Sequence, residues 1–356
     1  MLLHTTRNMA SIDNIVLRSG LRELQRRLPP GWSLGEAVVD RAGTVDARAR
    51  LRAPDRRTGS LAIEAKTRLD PKDVPAVVEQ ARLTRSTDVL VVIARYLSES
   101  TRARLKDADV NYVDLTGNVR LIVPTPGLFI ETQGASEDPD REERPARSLR
   151  GAKAGRIVRA LIDRKTPPGV RELALLTKID AGYVSRVLAF LETEALIKRV
   201  GRGRTESVDW PVLLRRWASE APLESRGQAS MYLDPRGPSA LLQRLAKSNE
   251  QYVVSGGLAA RALAPTAPAR LATIWIRDVA EAATRLGLRA ADAGANVMLV
   301  EPGDEGVFEG AVERKGIDYA APSQVAVDLL TSPGRGPSEG EELIDWMRSH
   351  EDVWRK

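Results

Sequence analysis

The 356 residues carry 54 Lys and Arg against 48 Asp and Glu, only two histidines and no cysteine, with 42% hydrophobic, 29% charged and 4% aromatic residues. The absence of cysteine excludes disulfides, thiolate nucleophiles and cysteine zinc sites, and histidines only at positions 4 and 350 argue against His-metal clusters and Ser-His-Asp triads. Any catalysis must then run on carboxylates, lysines and a hard cation such as Mg²⁺, while the net charge of +6 points to a polyanionic partner.

A chain of this length is expected to form two or three domains. No apolar run reaches the roughly 18 residues that a membrane span needs, and no basic-then-apolar leader opens the chain. A cytoplasmic, nucleoid-associated protein without membrane contact is therefore expected, with the first eight or nine residues as a tail. Residues 10–135 read as one α/β domain. In "SIDNIVLRSGLRELQRRLPPGW", Leu17, Leu21, Leu24 and Leu28 recur at helical spacing before Pro29-Pro30 stops the helix. "GEAVVD", "TVDARARLRA" and "SLAIEAK" follow as strands, then a helix around "VPAVVEQARLT". "DVLVVIARY" is apolar enough for a central strand covered on both faces. A helix "SESTRARLKDAD", the phrase "VNYVDLTGNVRLIV" and a strand "GLFIET" close a mixed sheet.

Residues 136–150 are polar, carry proline and lack apolar periodicity, as a linker does. From 151 to 220, "KAGRIVRALIDR" and "GVRELALLT" predict two helices, "KID" a turn, and "AGYVSRVLAFLETEAL" a third helix that Asp180 can cap. "IKRV" and "SVDW" flank "GRGRTE" as two short strands with a Gly/Arg-rich tip. Helix, helix, turn, helix, hairpin is the order of a winged helix-turn-helix. The inward stripe of the third helix is Val184, Val187, Leu188 and Leu191, which leaves Tyr183, Ser185, Arg186 and Ala189 toward its open face. Between Arg141 and Arg204 stand 16 Lys/Arg against 7 Asp/Glu, a balance of +9 (16 minus 7), so positive charge is concentrated in this segment. Tyr183, Ser185 and Arg186 are placed near bases, Arg199, Arg202 and Arg204 near phosphates, and Lys153, Arg156 and Lys178 as further backbone contacts.

A soft boundary lies at 219–230. Residues 228–356 alternate strands and helices through "YVVSGGLAARALAP", "RLATIWIRD", "VAEAATRLGL", "ANVMLVEP", "VERKGIDYAAPSQVAVDLL" and "SEGEELIDWMR", which predicts a second α/β domain.

One stretch of the first domain carries candidate chemistry. In "LAIEAK" a strand would project Glu64 and Lys66 on one face, and Asp46 precedes Glu64 by 18 positions on the preceding strand. An acid on one strand, then an acid and a lysine two apart on the next, followed by a helix with Glu79 and Gln80, is the pattern of PD-(D/E)xK nucleases and their restriction-endonuclease-like fold. There Asp46 and Glu64 would be metal ligands and Asp46, Glu64 and Lys66 the catalytic set, the lysine beside the attacking water. The literal Pro54-Asp55 reads as a turn. The plain alternative is a strand with a solvated charged face, and Asp114 is either a turn residue or a further group facing the Asp46–Glu64 cleft.

Three phrases carry a resemblance: Asn111-Tyr112-Val113-Asp114-Leu115-Thr116-Gly117-Asn118, Ser255-Gly256-Gly257-Leu258-Ala259-Ala260 and Ser323-Gln324-Val325-Ala326-Val327-Asp328-Leu329-Leu330. The chain resembles regulators related to AbiEi, the antitoxin of type IV toxin–antitoxin systems. That likeness implies a winged helix on promoter DNA joined to a C-terminal α/β domain, although here the winged helix is central and an α/β domain precedes it. The C-terminal segment also looks like a nucleotidyltransferase fold. Where those enzymes pair aspartates, this strand holds Ile274, Trp275 and Ile276, with Asp278 alone at its end. The expectation is a three-domain, homodimeric, sequence-specific regulator of double-stranded DNA without a resident cofactor. The alternatives are a Mg²⁺-dependent endonuclease targeted by the winged helix, and an adaptor using residues 228–356 to hold a protein partner.

Overall fold

A computed structural model describes residues 2–40, 44–83, 88–140, 148–200, 204–248, 250–264, 269–291 and 293–356, with side chains from 15 onward and none for 81–83. The chain divides into two compact units, Met1–Arg144 with Thr193–Ala195, and Pro145–Glu192 with Leu196–Lys356. Both are mixed α/β. No helix among the described residues is long and apolar enough to cross a membrane.

The first unit runs α1 (Leu2–Arg27), β1 (Ser33–Leu34), β2 (Val38–Val39), β3 (Ala47–Arg52), β4 (Thr58–Lys66), α2 (Val74–Leu83), β5 (Asp88–Ala94), α3 (Glu99–Asp107), β6 (Asn111–Asp114), β7 (Val119–Val123) and β8 (Leu128–Thr132). The backbone of the expected tail is helical and continues α1. The eight strands form one sheet in the order β1-β3-β4-β5-β6-β7-β8, with β2 beside β3. Strand β4 is antiparallel to β3 and parallel to β5, and β5 is parallel to β6.

Period-two alternation splits the core between the two faces of this sheet. Ala47, Ala49, Leu51, Leu61, Ile63, Val91 and Ile93 pack under Val16 and Leu24 of α1. Ala62, Leu90, Val92 and Ala94 pack on the other face with Val74 and Val77 of α2 and Leu105 of α3. Strand β5 is thus buried on both sides. Helix α1 lies so close to it that a Cβ on Gly20 would overlap Cγ2 of Ile93. Pro54 and Asp55 form a turn, with Asp55 accepting from the Arg57 backbone N–H at 3.0 Å.

The second unit continues with α4 (Ala152–Ile162), α5 (Val170–Thr177), α6 (Ala181–Thr193), β9 (Ile197–Val200), β10 (Arg204–Val208), α7 (Trp210–Glu220), α8 (Leu223–Arg226), β11 (Gly227–Leu233), α9 (Gly237–Leu245), β12 (Tyr252–Ser255), α10 (Gly256–Leu263), β13 (Ala272–Ile276), α11 (Val279–Arg285), β14 (Arg289–Ala290), β15 (Val297–Pro302), β16 (Val312–Arg314), β17 (Ile317–Tyr319), α12 (Pro322–Leu330), α13 (Gly336–Ser349) and α14 (Glu351–Trp354). Strands β9 and β10 form an antiparallel hairpin; the other seven form a sheet ordered β14-β11-β15-β13-β12-β17-β16.

Helices α4 to α7 and this sheet share one apolar core. Ile157, Trp217 and Leu191 belong to the same buried cluster as Trp275, Leu299, Val325 and Met347. Polar clamps reinforce the union. Arg156 holds Asp304 through two hydrogen bonds of 2.7 and 2.8 Å, and Trp210 donates to Glu351 at 2.7 Å while meeting Trp354 edge-on at 5.1 Å. The soft boundary at 219–230 folds into α8 and β11, because Leu223 is buried and β11 pairs along its length with β15. Of the expected linker, residues 141–147 lie outside the described residues.

Candidate functional sites

The first candidate site lies on the α2 side of the first sheet. Asp46 enters β3 with its backbone N–H donating to Ile63 O at 3.0 Å, and its side chain accepts from the Ala65 backbone N–H at 2.7 Å. That pins one Asp46 oxygen beside Glu64. The approach to Asp46 is held by Asp40, which accepts from Thr44 Oγ1 at 2.7 Å and from the Thr44 backbone N–H at 3.1 Å. The Thr44 hydroxyl first, then Arg48 and the Val45 and Thr44 backbone, pull the Asp40 carboxyl down to about 2. This anchor is intact above the ordinary carboxylate pKa and is lost as pH falls from there through about 2.

Glu64 is 4% exposed, whereas Asp46 is exposed and Lys66 half-buried. Lys66 Nζ ion-pairs with Glu64, and Gln80 of α2 donates to Glu64 Oε2 at 2.7 Å and to Thr44 O at 2.9 Å. The structure therefore brings together Asp46, Glu64 and Lys66 with Gln80; Glu79 is exposed on the same helix. A buried carboxylate gripped by an amide and an ammonium, with an exposed carboxylate on the adjacent strand, can offer two oxygen ligands to a hard cation. Among the described residues no group of three or more His, Cys, Asp or Glu is placed to hold a metal ion.

Asp114 shares the sheet face of Glu64 and Lys66, two strands away, but is taken up by its own turn. It is fully buried and accepts six hydrogen bonds, from Leu97 N, Thr116 N and Oγ1, Gly117 N, and Asn118 N and Nδ2, at 2.7 to 3.1 Å. A carboxylate saturated by a turn has no oxygen left for a ligand, so its role is to close the β6–β7 connection.

The second candidate site is the helical module at the start of the second unit. Helix α5 ends at Lys178, whose φ of 55° in the left-handed region stops the helix. Asp180 then caps α6, accepting from Gly182 N at 2.9 Å and Tyr183 N at 3.1 Å. Val184, Val187, Leu188 and Leu191 are buried, while Ser185, Arg186 and Ala189 are exposed. Tyr183 is half-buried, and the Arg186 guanidinium lies 5.8 Å from its ring centroid, so the tyrosine positions that arginine on the outer face. Lys153, Lys178 and Arg204 are exposed as well.

Two of the expected phosphate contacts are turned elsewhere. Arg156 is committed to Asp304, whose carboxylate beside it raises the guanidinium pKa further. The Arg199 side chain is only 13% exposed and lies 3.5 Å from Glu192. Arg202 lies outside the described residues.

A third cluster was not anticipated. Asp328 of α12 is fully buried and accepts from Trp275 Nε1 and Gln324 Nε2, each at 2.8 Å, from Ser255 Oγ, and from Arg226. Arg226 also donates to Ala221 O at 2.9 Å. Ser255 and Asp328 come from two of the phrases quoted above, so phrases 73 residues apart meet at one carboxylate. The available signal was a lone aspartate inside the apolar run "QVAVDLL". Asp278 caps α11 by accepting from Glu281 N at 2.8 Å and is thereby a structural residue.

Comparison with known proteins adds no family to this geometry: no family model, no curated protein and no solved structure matches the chain.

Proposed function

We propose that this chain is a sequence-specific double-stranded DNA-binding protein that regulates transcription, with α4, α5, α6 and the β9–β10 hairpin acting as a winged helix. The observation that carries this reading is the two-sided α6: four apolar residues buried, and Ser185, Arg186 and Ala189 exposed beside the tyrosine that holds the arginine. A 13-residue helix is about 20 Å long, enough to lie in a major groove roughly 12 Å wide. Exposed Lys153, Lys178 and Arg204 supply phosphate contacts in a segment whose charge balance is +9 (16 minus 7). A homodimer on a two-fold site follows the habit of such readers, and nucleoid association would follow from the binding itself.

Anisotropy titrations of a labelled duplex across a salt series test this. Arg186→Ala is expected to weaken binding about tenfold or more and to flatten the log–log salt slope by roughly 0.9 if it meets a phosphate. Arg199→Ala is expected to leave that slope unchanged, because its guanidinium is already buried beside Glu192. Binding insensitive to salt and to Arg186→Ala would sink the reading.

A second reading, Mg²⁺-dependent phosphodiester cleavage, is favoured by the meeting of Asp46, Glu64, Lys66 and Gln80. A hard divalent cation there would polarise the phosphoryl group. This chain's own residues would contribute two carboxylate ligands and an ammonium beside the reacting water, with Gln80 orienting Glu64. On this reading the protein nicks supercoiled plasmid in Mg²⁺ or Mn²⁺, and Glu64→Ala lowers the rate by roughly 10²-fold or more. Intact plasmid with the unaltered protein would leave the first reading alone.

A further inference from the structure

One end of the first sheet is left open on the face that carries Glu64. Past Ala62, where α2 packs, that face holds Arg50 and Arg52 of β3 directly opposite Ser60 and Thr58 of β4. On the outer edge, Ser33 of β1 stands opposite Arg52. Gly35 donates to Arg50 O at 2.8 Å and has no side chain to cover that arginine. Arg50, Arg52, Ser33 and Thr58 are exposed, and Ser60 is half-buried.

The charge of this patch is one-sided. Arg48, next in the row, is taken up by Asp40 and Asp88, and Arg57 in the following turn by Asp55. Arg50 and Arg52 meet no carboxylate among the described residues, and no carboxylate or aromatic ring stands among Ser33, Gly35, Arg50, Arg52, Thr58 and Ser60. Residues two apart on a strand are about 7 Å from each other, so the two guanidiniums form a short row of cations. Hydroxyl donors flank that row on both sides. Arginines and hydroxyls in line, without an acid, match successive phosphates of a nucleic-acid backbone. Platforms for single strands add aromatic rings on which bases stack. This patch has none, so the partner it fits is the stiff phosphate ridge of a duplex.

We infer that the first unit binds duplex DNA through its phosphates, without reading bases, along Arg50 and Arg52 with Ser33, Thr58 and Ser60 as flanking donors. Glu64 stands on the same face four residues beyond Ser60 along β4, a distance of about 13 Å. The docking surface and the Asp46–Glu64 cleft therefore share one side of the sheet. The inference rests on neither functional reading above, since it requires neither cleavage nor base contacts by α6.

The test titrates the full chain with a labelled duplex of mixed sequence, by anisotropy, across a salt series without divalent metal. Arg50→Ala combined with Arg52→Ala is expected to weaken binding about tenfold or more near 0.1 M salt and to flatten the log–log slope by roughly 1.8, twice 0.9. The same change is expected in an Arg186→Ala background, which separates this surface from the winged helix. Thr58→Glu, which sets a carboxylate opposite Arg52 at an exposed position, is expected to weaken binding severalfold. Arg18→Ala combined with Arg22→Ala removes the same charge from exposed positions of α1, across the sheet, and is expected to leave the slope unchanged. A single strand of the same length is expected to bind more weakly than the duplex. An unaltered slope in the folded Arg50/Arg52 double variant, an equal loss in the α1 control, or no salt-dependent binding at all would overturn the proposal. So would single-strand binding as tight as that of the duplex.

Discussion

Asp328→Ala is expected to lower the melting temperature of the second unit on the order of 10 °C. The carboxylate is fully buried and is the shared acceptor for Ser255, Trp275, Gln324 and Arg226. Removing it leaves the Arg226 guanidinium, itself 11% exposed, without its counter-charge between two indoles. Breaking a buried pair by deleting one partner costs about 3–5 kcal/mol, and a unit of this size loses roughly 2–4 °C per kcal/mol. Calorimetry of the purified variant checks this. A shift below about 3 °C would mean that water reaches Arg226 and that the unit does not depend on this cluster.

Asp114→Ala is expected to strike the first unit comparably, at about 4 kcal/mol or more. Six donors converge on this carboxylate, four of them backbone N–H groups of the 97 and 116–118 segments. Each buried donor left without an acceptor costs about 1–3 kcal/mol. Asp114→Asn keeps the shape but turns an NH₂ group toward N–H donors, so it should recover only part of the loss. Because the two aspartates belong to different compact units, limited proteolysis should release different fragments: residues of the first unit degraded in Asp114→Ala, residues of the second in Asp328→Ala. Identical fragment patterns would contradict the division of the chain.

These two expectations recast the three phrases from which a family was expected. Asp114 lies in the first, Ser255 in the second, and Gln324 and Asp328 in the third. In each phrase a polar residue is spent inside the protein, closing a turn or binding the sheet to α12 and Arg226. The surfaces that face outward, α6 with Arg186 and the exposed Asp46 carboxylate, lie outside those phrases.

Much of the local architecture was legible from periodicity. The apolar run 88–94 marked a strand covered on both faces, and Val91 and Ile93 do pack under α1 while Leu90, Val92 and Ala94 pack toward α2 and α3. The spacing of Val184, Val187, Leu188 and Leu191 marked the buried stripe of α6, and Asp180 its cap. The two-residue spacing of Glu64 and Lys66 put them on one face, where they ion-pair. These features depend on backbone geometry within one element, so the sequence by itself determines them.

Partner choice was decided only by the tertiary structure. Gln80 reaches Glu64 because α2 returns over the sheet after 16 residues, and Arg156 meets Asp304 across 148 positions. An arginine on an amphipathic helix reads the same whether it faces phosphate or a carboxylate of its own chain; the path of the chain decides. The same holds for Arg226 and Asp328, 102 residues apart. Periodicity reports which side of an element is apolar. It carries no information about which distant element arrives there, because that depends on how all the apolar faces are buried together.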